Sequence, residues 1–244
     1  MLKIVTSVML LSVFKNRSYE LEIIDTGEYT PEEYEGCLAE LRSINRFLGD
    51  TRALKKSLLR EIKKENLKAF SVLDVGAGSG ELLRVIADFA REKNAETKLF
   101  GLELNARSAE ATLEESKNYA NIFSIRGDAL RLPFADAGFD YAICSLFTHH
   151  FIDEDVIKIL SEMRRVSRRK IYVIDLHRHP IAYHFYTNAG KIFSKNRLIR
   201  NDGALSILRS FKPDELFDFG SRAGLKNIAV NRHFPYRLVL SGEV

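Results

Sequence analysis

From Phe70 onward the chain alternates short apolar runs with longer stretches in which apolar residues recur every three or four positions. The short runs are FSVLDV (70–75), KLFGLEL (98–104), NIFSIRG (121–127), FDYAICS (139–145) and KIYVIDL (170–176), and their length and β-branched or aromatic content are those of buried strands. Between them the spacing predicts helices from about Ser79 to Lys93, up to about Asn118, and from Asp153 to Val166. A helical stretch follows near Pro180–Lys195, and another helix opens at Pro213-Asp214-Glu215. Two last strands, about Lys226–Arg232 and Tyr236–Ser241, are joined by a short turn at Phe234-Pro235. Upstream, Leu38, Leu41, Ile44 and Leu48 lie at helical spacing with a break at Gly49-Asp50, which predicts two short helices before the sheet, placed as a lid.

Strands and helices alternating at this length predict an α/β fold: a doubly wound, seven-stranded, mostly parallel sheet with a C-terminal antiparallel hairpin. The expected division is an N-terminal arm over residues 1–19, a helical lid over 20–66, and one ligand-binding domain over 67–244, within which 177–212 covers the pocket for the second substrate. The apolar run from Ile4 to Phe14 has no small-x-small cleavage site before Lys15 and is too short to cross a bilayer, so a cytoplasmic protein is expected.

Composition narrows this little. The 244 residues are 45% hydrophobic and 29% charged, which is ordinary globular usage. A net charge of +4 comes from Lys and Arg interleaved with Asp and Glu, so no nucleic-acid partner is expected. Cys37 and Cys144 stand apart without metal-ligand spacing, and Cys144 lies within an apolar strand, where it reads as core.

The chemistry gathers at three strand ends. Val72-Leu73-Asp74-Val75-Gly76-Ala77-Gly78-Ser79-Gly80 runs a buried strand into a glycine turn that opens a helix, so backbone can approach a ligand closely and free N–H groups face it. A dinucleotide fingerprint would need a glycine at position 81, which is Glu81, and a carboxylate there would repel a pyrophosphate. The spacing therefore favours a sulfonium cofactor, which carries no phosphate. Glu103 ends the next strand, where a carboxylate can accept both ribose hydroxyls of an adenosine. Gly127-Asp128-Ala129-Leu130 ends the third, where Asp128 can accept from an adenine amino group while Ala129 and Leu130 meet the ring.

VLDVGAGSG, GLELN, GDALRLPF and FDYAICSLFTHHF together resemble the class I S-adenosylmethionine-dependent methyltransferases of the quinone-biosynthesis, type 11 group, with a Rossmann-like fold, over roughly residues 70–176. The resemblance implies S-adenosylmethionine as cofactor, with Asp74 and the glycines Gly76, Gly78 and Gly80 near its methionine portion, Glu103 at the ribose and Asp128 with Ala129 at the adenine; Ala77, Leu104, Leu130 and Ser145 complete the expected cofactor-binding residues. The flanks LRSINRFLGDTRAL (41–54), DLHRHPIAYHF (175–185), DGALSILRSFKPDEL (202–216) and FPYRLVLSG (234–242) resemble a bacterial subgroup found beside type III polyketide synthases, which implies a phenol or hydroquinone acceptor with a lipid tail. Methylation of RNA or protein is the alternative within enzymes, but the loop after the fourth strand reads SLFTHH rather than the Asn/Asp-Pro-Pro-aromatic loop that holds a flipped base. A non-catalytic cofactor-binding regulator is the alternative outside them.

Methyl transfer is an in-line displacement that chiefly needs alignment, with a base only where the acceptor must lose a proton. His149 and His150 follow the fourth strand at the sheet's carboxyl edge and are the candidate bases. Five of the six histidines fall within 149–184, but no carboxylate and histidine set has a recognised ligand spacing, so no metal is expected. Between Asp175 and Asp202 there is no acidic residue, while Arg178, Lys191, Lys195, Arg197 and Arg200 alternate with Tyr183, Phe185, Tyr186, Ile192, Phe193 and Leu198. That pattern suits an amphipathic cover in peripheral contact with a membrane.

Overall fold

The five apolar runs form parallel strands β1 (Ala69–Val75), β2 (Glu96–Glu103), β3 (Ile122–Arg126), β4 (Phe139–Ser145) and β5 (Ser167–Leu176), and the final pair forms β6 (Lys226–His233) and β7 (Arg237–Glu243). The computed structural model describes residues 13–190, 194 and 196–244, and at 38, 41–48, 189 and 190 the backbone alone. The sheet order is β3-β2-β1-β4-β5-β7-β6, with β7 antiparallel to both neighbours. Chain direction across the sheet reverses between β1 and β4, so their carboxyl ends leave the crevice in which doubly wound sheets take ligands.

Two apolar layers cover the sheet. On one face, Val156, Ile159, Leu160 and Met163 of a helix over Asp153–Val166 and Leu216 and Phe219 of one over Pro213–Arg222 pack on Leu73, Ala142 and Val173. On the other, the helix Glu81–Glu92 packs Leu83, Ile86 and Ala90 against Val72, Leu99 and Ile143. Residues 50–65 belong to this second layer. The helices Asp50–Lys56 and Leu58–Glu65 bury Leu54, Leu58 and Ile62 completely or nearly so, and Asp50 pairs with Arg237 of β7 at 2.5 Å. Their apolar stripe needs a sheet to bury it, so the covering role expected of all of 20–66 falls to the segment before Gly49.

Three further differences have local causes. The helix expected from Ser79 starts at Glu81, because Gly78 and Gly80 hold φ of +58° and +75° and keep the turn open until there. Pro180–Lys195 is not one helix: an α-helix over Pro180–Phe185 passes into π-type winding over Tyr186–Gly190, and Lys191, Ile192, Phe193 and Lys195 lie outside the described residues. A helix over Arg197–Arg209 was not among the expected elements. There Asp202 accepts the backbone N–H groups of Ile23 and Ile24 at 3.0 and 3.1 Å, capping the short helix Ile23–Thr26, and a Cβ on Gly203 would lie 2.2 Å from the Tyr186 ring. Of the expected arm, residues 1–12 lie outside the described residues, while Arg17 is buried, donating to the Arg209 carbonyl at 2.7 Å and to Asp153 at 2.5 Å. The side chains of Leu38, Leu41, Ile44 and Leu48 lie outside the described ones; the helix that carries them, Pro31–Leu48, begins with a capping box between Thr30 and Glu33.

Candidate active site

A cavity of about 680 Å³ opens at the carboxyl ends of β1 and β4. Asp74, Gly76, Ala77, Gly78, Glu103 and Ser145 line it, and so do His149 and His150. At the glycine turn, Gly76 holds φ +72°, where a Cβ would lie 2.3 Å from the Phe147 ring, and a Cβ on Gly78 would meet nothing within 4 Å. Gly76 is therefore required by packing, whereas Gly78 leaves open the space a ligand would use. The Gly78 N–H donates to Glu103 Oε1 at 2.5 Å, so the first two strand ends are linked directly. Burial pushes the Glu103 carboxyl up to about 7 against the pull of backbone N–H groups from Gly78, Leu104 and Asn105. Asp74 is buried, its Oδ1 has no hydrogen-bond partner, and burial together with the nearby Glu103 charge holds its pKa well above the usual carboxylate range.

The other expected cofactor residues stand elsewhere. Gly80 faces the helix Ala106–Glu115, where a Cβ would press on Thr112 at 2.8 Å, so its role is close packing. Leu104 is 65% exposed and lines a smaller pocket of about 360 Å³ with Tyr29 and Arg126. Tyr34 lines both pockets. Asp128 is exposed, and its Oδ1 accepts the Leu130 N–H at 2.8 Å as a local cap. Ala129 is buried in the core and Leu130 is half-buried against it. None of these last three lines the large cavity.

At the other end of the cavity, Leu146 takes φ +50° as β4 ends, and the chain turns through a 3₁₀ segment over Thr148–His150. Asp175, the fully buried end of β5, receives this turn: its Oδ2 accepts the Thr148 hydroxyl at 2.7 Å and the His149 N–H at 3.2 Å, and its Oδ1 lies 2.6 Å from His149 Nδ1. Burial opposes the charge, yet the His149 ring and the two hydrogen bonds outweigh it and bring Asp175 down to about 2. With Nδ1 held by the carboxylate, His149 presents Nε2 to the cavity. Nε2 lies 3.9 Å from Oε1 of Glu22, a buried residue that burial pushes up to about 7. His150 is half-buried, with Nδ1 2.9 Å from Asp25 and 4.0 Å from Glu22 Oε1. Glu22 and Asp25 stand beside these histidines although the sequence did not point to them. In SYELEIIDTGE (18–28) they read as the solvated acids of a polar segment, and the Asp202 cap helps to bring that segment against the histidines.

Several cations are engaged within the fold. Arg178 is fully buried and pairs with Glu215 at 2.5 Å, and Arg197 pairs with Glu33 at 3.0 Å. Lys191 and Lys195 lie outside the described residues, and Arg200 is exposed. Arg165 pairs with Glu162 and Asp136, Arg168 and Arg169 with Asp140, and Lys170 with Glu61. Burial in the core raises Cys144 well above the usual thiol range, in keeping with a structural role. Among the described residues no helix is long and apolar enough to cross a membrane.

Residues 72–170 match the family profile described as a methyltransferase domain. A demethylmenaquinone methyltransferase of Bacillus licheniformis is 30% identical over 101 residues, 41% of this chain and 41% of that protein. Among solved structures, a SAM-dependent methyltransferase from Aquifex aeolicus aligns with a TM-score of 0.59 at 16% identity, covering 89% of this chain and 100% of that one. The magnesium protoporphyrin IX methyltransferase of Synechocystis, solved with bound SAH, aligns with a TM-score of 0.58 at 13% identity, covering 98% and 94%. At those identities the structures establish the fold. The chain spans 36% to 55% of the lengths of the first three curated relatives it matches.

Proposed function

Since residues 72–170 place this chain in the class I methyltransferase family, of the type 11 group, we propose that it transfers a methyl group from S-adenosylmethionine to a small aromatic acceptor, a phenol or hydroquinone bearing an apolar tail. The observation that carries the reading is one continuous cavity joining the glycine turn and Glu103 to His149. The residues present suit the cofactor. Asp74 offers an unpartnered buried oxygen, Gly78 leaves its side-chain space unfilled, and Glu103 is a half-buried carboxylate in the cavity wall that can accept from ribose hydroxyls. When bound, S-adenosylmethionine supplies an electrophilic methyl group on a positively charged sulfur.

The chain's own residues then align and deprotonate the acceptor. Phe147, packed on Gly76, sits between the glycine turn and His149 and forms part of the wall both ligands share. In the metal-free protein His149, steered by Asp175, offers Nε2 to an acceptor hydroxyl, and the proton passes to that nitrogen as the oxygen attacks. Ile24, Tyr186, Leu198, Ile199 and Ile207 give the far wall its apolar character, which suits an alkyl tail. Ile181, Phe185 and Phe234 line the same cavity while 61%, 63% and 75% exposed, so they mark an apolar mouth through which a lipid-tailed acceptor, or the membrane that carries it, meets the protein.

The test is turnover of S-adenosylmethionine to S-adenosylhomocysteine with phenols and hydroquinones, each with and without an alkyl tail. Acceptor-dependent product with higher kcat/KM for the tailed members is expected. No turnover with any of them, in a protein that binds the cofactor, favours a non-catalytic binding role.

A further inference from the structure

We propose that Glu22, His149 and His150 form a binding site for a divalent transition-metal ion at the acceptor end of the cavity. One donor atom from each lies within 4.8 Å of the other two. Glu22 Oε1 is 3.9 Å from His149 Nε2 and 4.0 Å from His150 Nδ1. Metal–nitrogen and metal–oxygen bonds of about 2.1 Å allow two ligands of one ion to be at most about 4.2 Å apart, so the cluster accepts an ion with small side-chain rotations. Two imidazoles and a carboxylate are the donor set of zinc, manganese or iron(II), whereas magnesium and calcium take oxygen donors. Three protein ligands leave a position open, and here it faces the cavity.

Two of the three donors are held from behind. Asp175 binds Nδ1 of His149 and directs Nε2 inward, the carboxylate–histidine arrangement that fixes metal-ligating imidazoles. The Ser206 hydroxyl donates to Glu22 Oε2 at 2.9 Å and leaves Oε1 free, and Asp25 Oδ1 lies 2.9 Å from His150 Nδ1, close enough to serve as a fourth ligand. An independent observation points to a missing cation: Glu22 is 2% exposed, yet its Oε1 has no hydrogen-bond partner. A buried carboxylate oxygen without a donor is costly unless something positive meets it.

Arg209 does not fill that need. Its Nε is 3.5 Å from Glu22 Oε1, but that N–H goes to the His149 carbonyl at 3.1 Å, and its other donors go to the carbonyls of Glu20 and His150. Arg17, which also approaches the His149 carbonyl, is paired with Asp153. Glu22, Asp25 and Asp175 surround the two histidines, with Arg209 near Glu22 and Asp25 and Arg17 paired to Asp153, and this carboxylate-rich cluster suits a dication. The sequence hid this set because Glu22 lies more than a hundred residues from His149 and His150. The ion's role for the acceptor rests on the proposed function: an acceptor oxygen in the open position ionises there, its proton leaving to solvent, and His149 serves as ligand in place of base. Metal binding itself does not depend on that reading.

The experiment is calorimetric titration of zinc chloride and, separately, manganese chloride into tag-free, chelator-treated full-length protein, with S-adenosylhomocysteine affinity measured on every variant. One equivalent of zinc or manganese is expected to bind, Glu22→Gln, His149→Ala and His150→Ala each weakening it at least tenfold, and His179→Ala leaving it unchanged. Should the buried substitutions prevent folding, the half-buried His150→Gln carries the same expectation. No binding of either metal by the wild type, or binding unaffected by these substitutions, overturns the proposal and leaves His149 as the base. Failure of the methyltransferase reading is seen separately, as absent S-adenosylhomocysteine binding by the wild type.

Discussion

Asp175 Oδ1 lies 2.6 Å from Nδ1 of His149, and the same carboxylate accepts the Thr148 hydroxyl and the backbone N–H groups of His149 and Leu176. One buried side chain therefore fixes both the turn after β4 and the direction of the imidazole. Whichever partner Nε2 takes, proton or metal, its aim depends on this contact.

Asp175→Asn keeps the shape but removes the charge that orients the ring. The expected result is a fall in kcat of about 10²-fold or more, with S-adenosylhomocysteine affinity within about twofold of wild type. His149→Ala should show the same split. Full turnover in both variants between pH 6 and 9 would show that the imidazole is structural.

Glu103 gives a pH dependence of defined sign. Its pKa in the ligand-free fold is pushed up to about 7 from 4.5, so the folded state holds the proton more tightly than the unfolded one, and ligand-free stability falls as pH rises from about 4.5 to 7. Ribose hydroxyls favour the ionised carboxylate, so S-adenosylhomocysteine affinity should climb over about pH 5.5–7.5 with release of a proton. Calorimetry in buffers of different ionisation enthalpy checks this, and Glu103→Gln should remove most of the slope. An unchanged slope would assign the proton elsewhere.

The two glycines of the β1 turn should separate stability from affinity. Gly76→Ala places a methyl 2.3 Å from the Phe147 ring at φ +72°, so a loss of about 2 kcal/mol or more in denaturant unfolding is expected. Gly78→Ala meets open space and carries the φ strain alone, about 1 kcal/mol, while its methyl enters the cofactor's side of the cavity and weakens cofactor binding. Equal destabilisation by both would contradict this assignment.

Asp50 and Arg237 form a buried pair at 2.5 Å that ties the helix Asp50–Lys56 to β7. Asp50→Ala leaves the guanidinium buried without its partner and should cost about 3–5 kcal/mol. The double variant Asp50→Ala/Arg237→Met should recover a large part of the loss. A cost below about 1 kcal/mol would mean that residues 50–65 are not anchored as the structure has them.

The sheet was legible because each strand is a short apolar run and each crossover keeps helical spacing, and the turn over Asp74–Gly80 could be read because few sequences place those glycines after such a strand. Of the residues expected at the cofactor, Asp74, Gly76, Ala77, Gly78, Glu103 and Ser145 line one cavity, whereas Gly80, Leu104, Asp128, Ala129 and Leu130 do not. The acceptor end was not legible in this way. His149 and His150 were visible as histidines after β4, but Glu22, Asp25 and Asp202 reach them only through contacts between distant segments. Asp175 did leave a trace, as a lone acid closing an apolar strand. In the expected amphipathic cover, Arg178 and Arg197 have partners, Glu215 and Glu33, that lie in other parts of the chain and that local pattern does not reveal.

The most direct measurement is calorimetric titration of S-adenosylhomocysteine into the wild-type protein and Glu103→Ala at pH 7.5. The account predicts one site in the wild type and an affinity loss of roughly 10- to 150-fold in the variant, as expected for about 1.5–3 kcal/mol of charge-assisted hydrogen bonding. No binding by the wild type would contradict it, as would equal affinity in the two proteins.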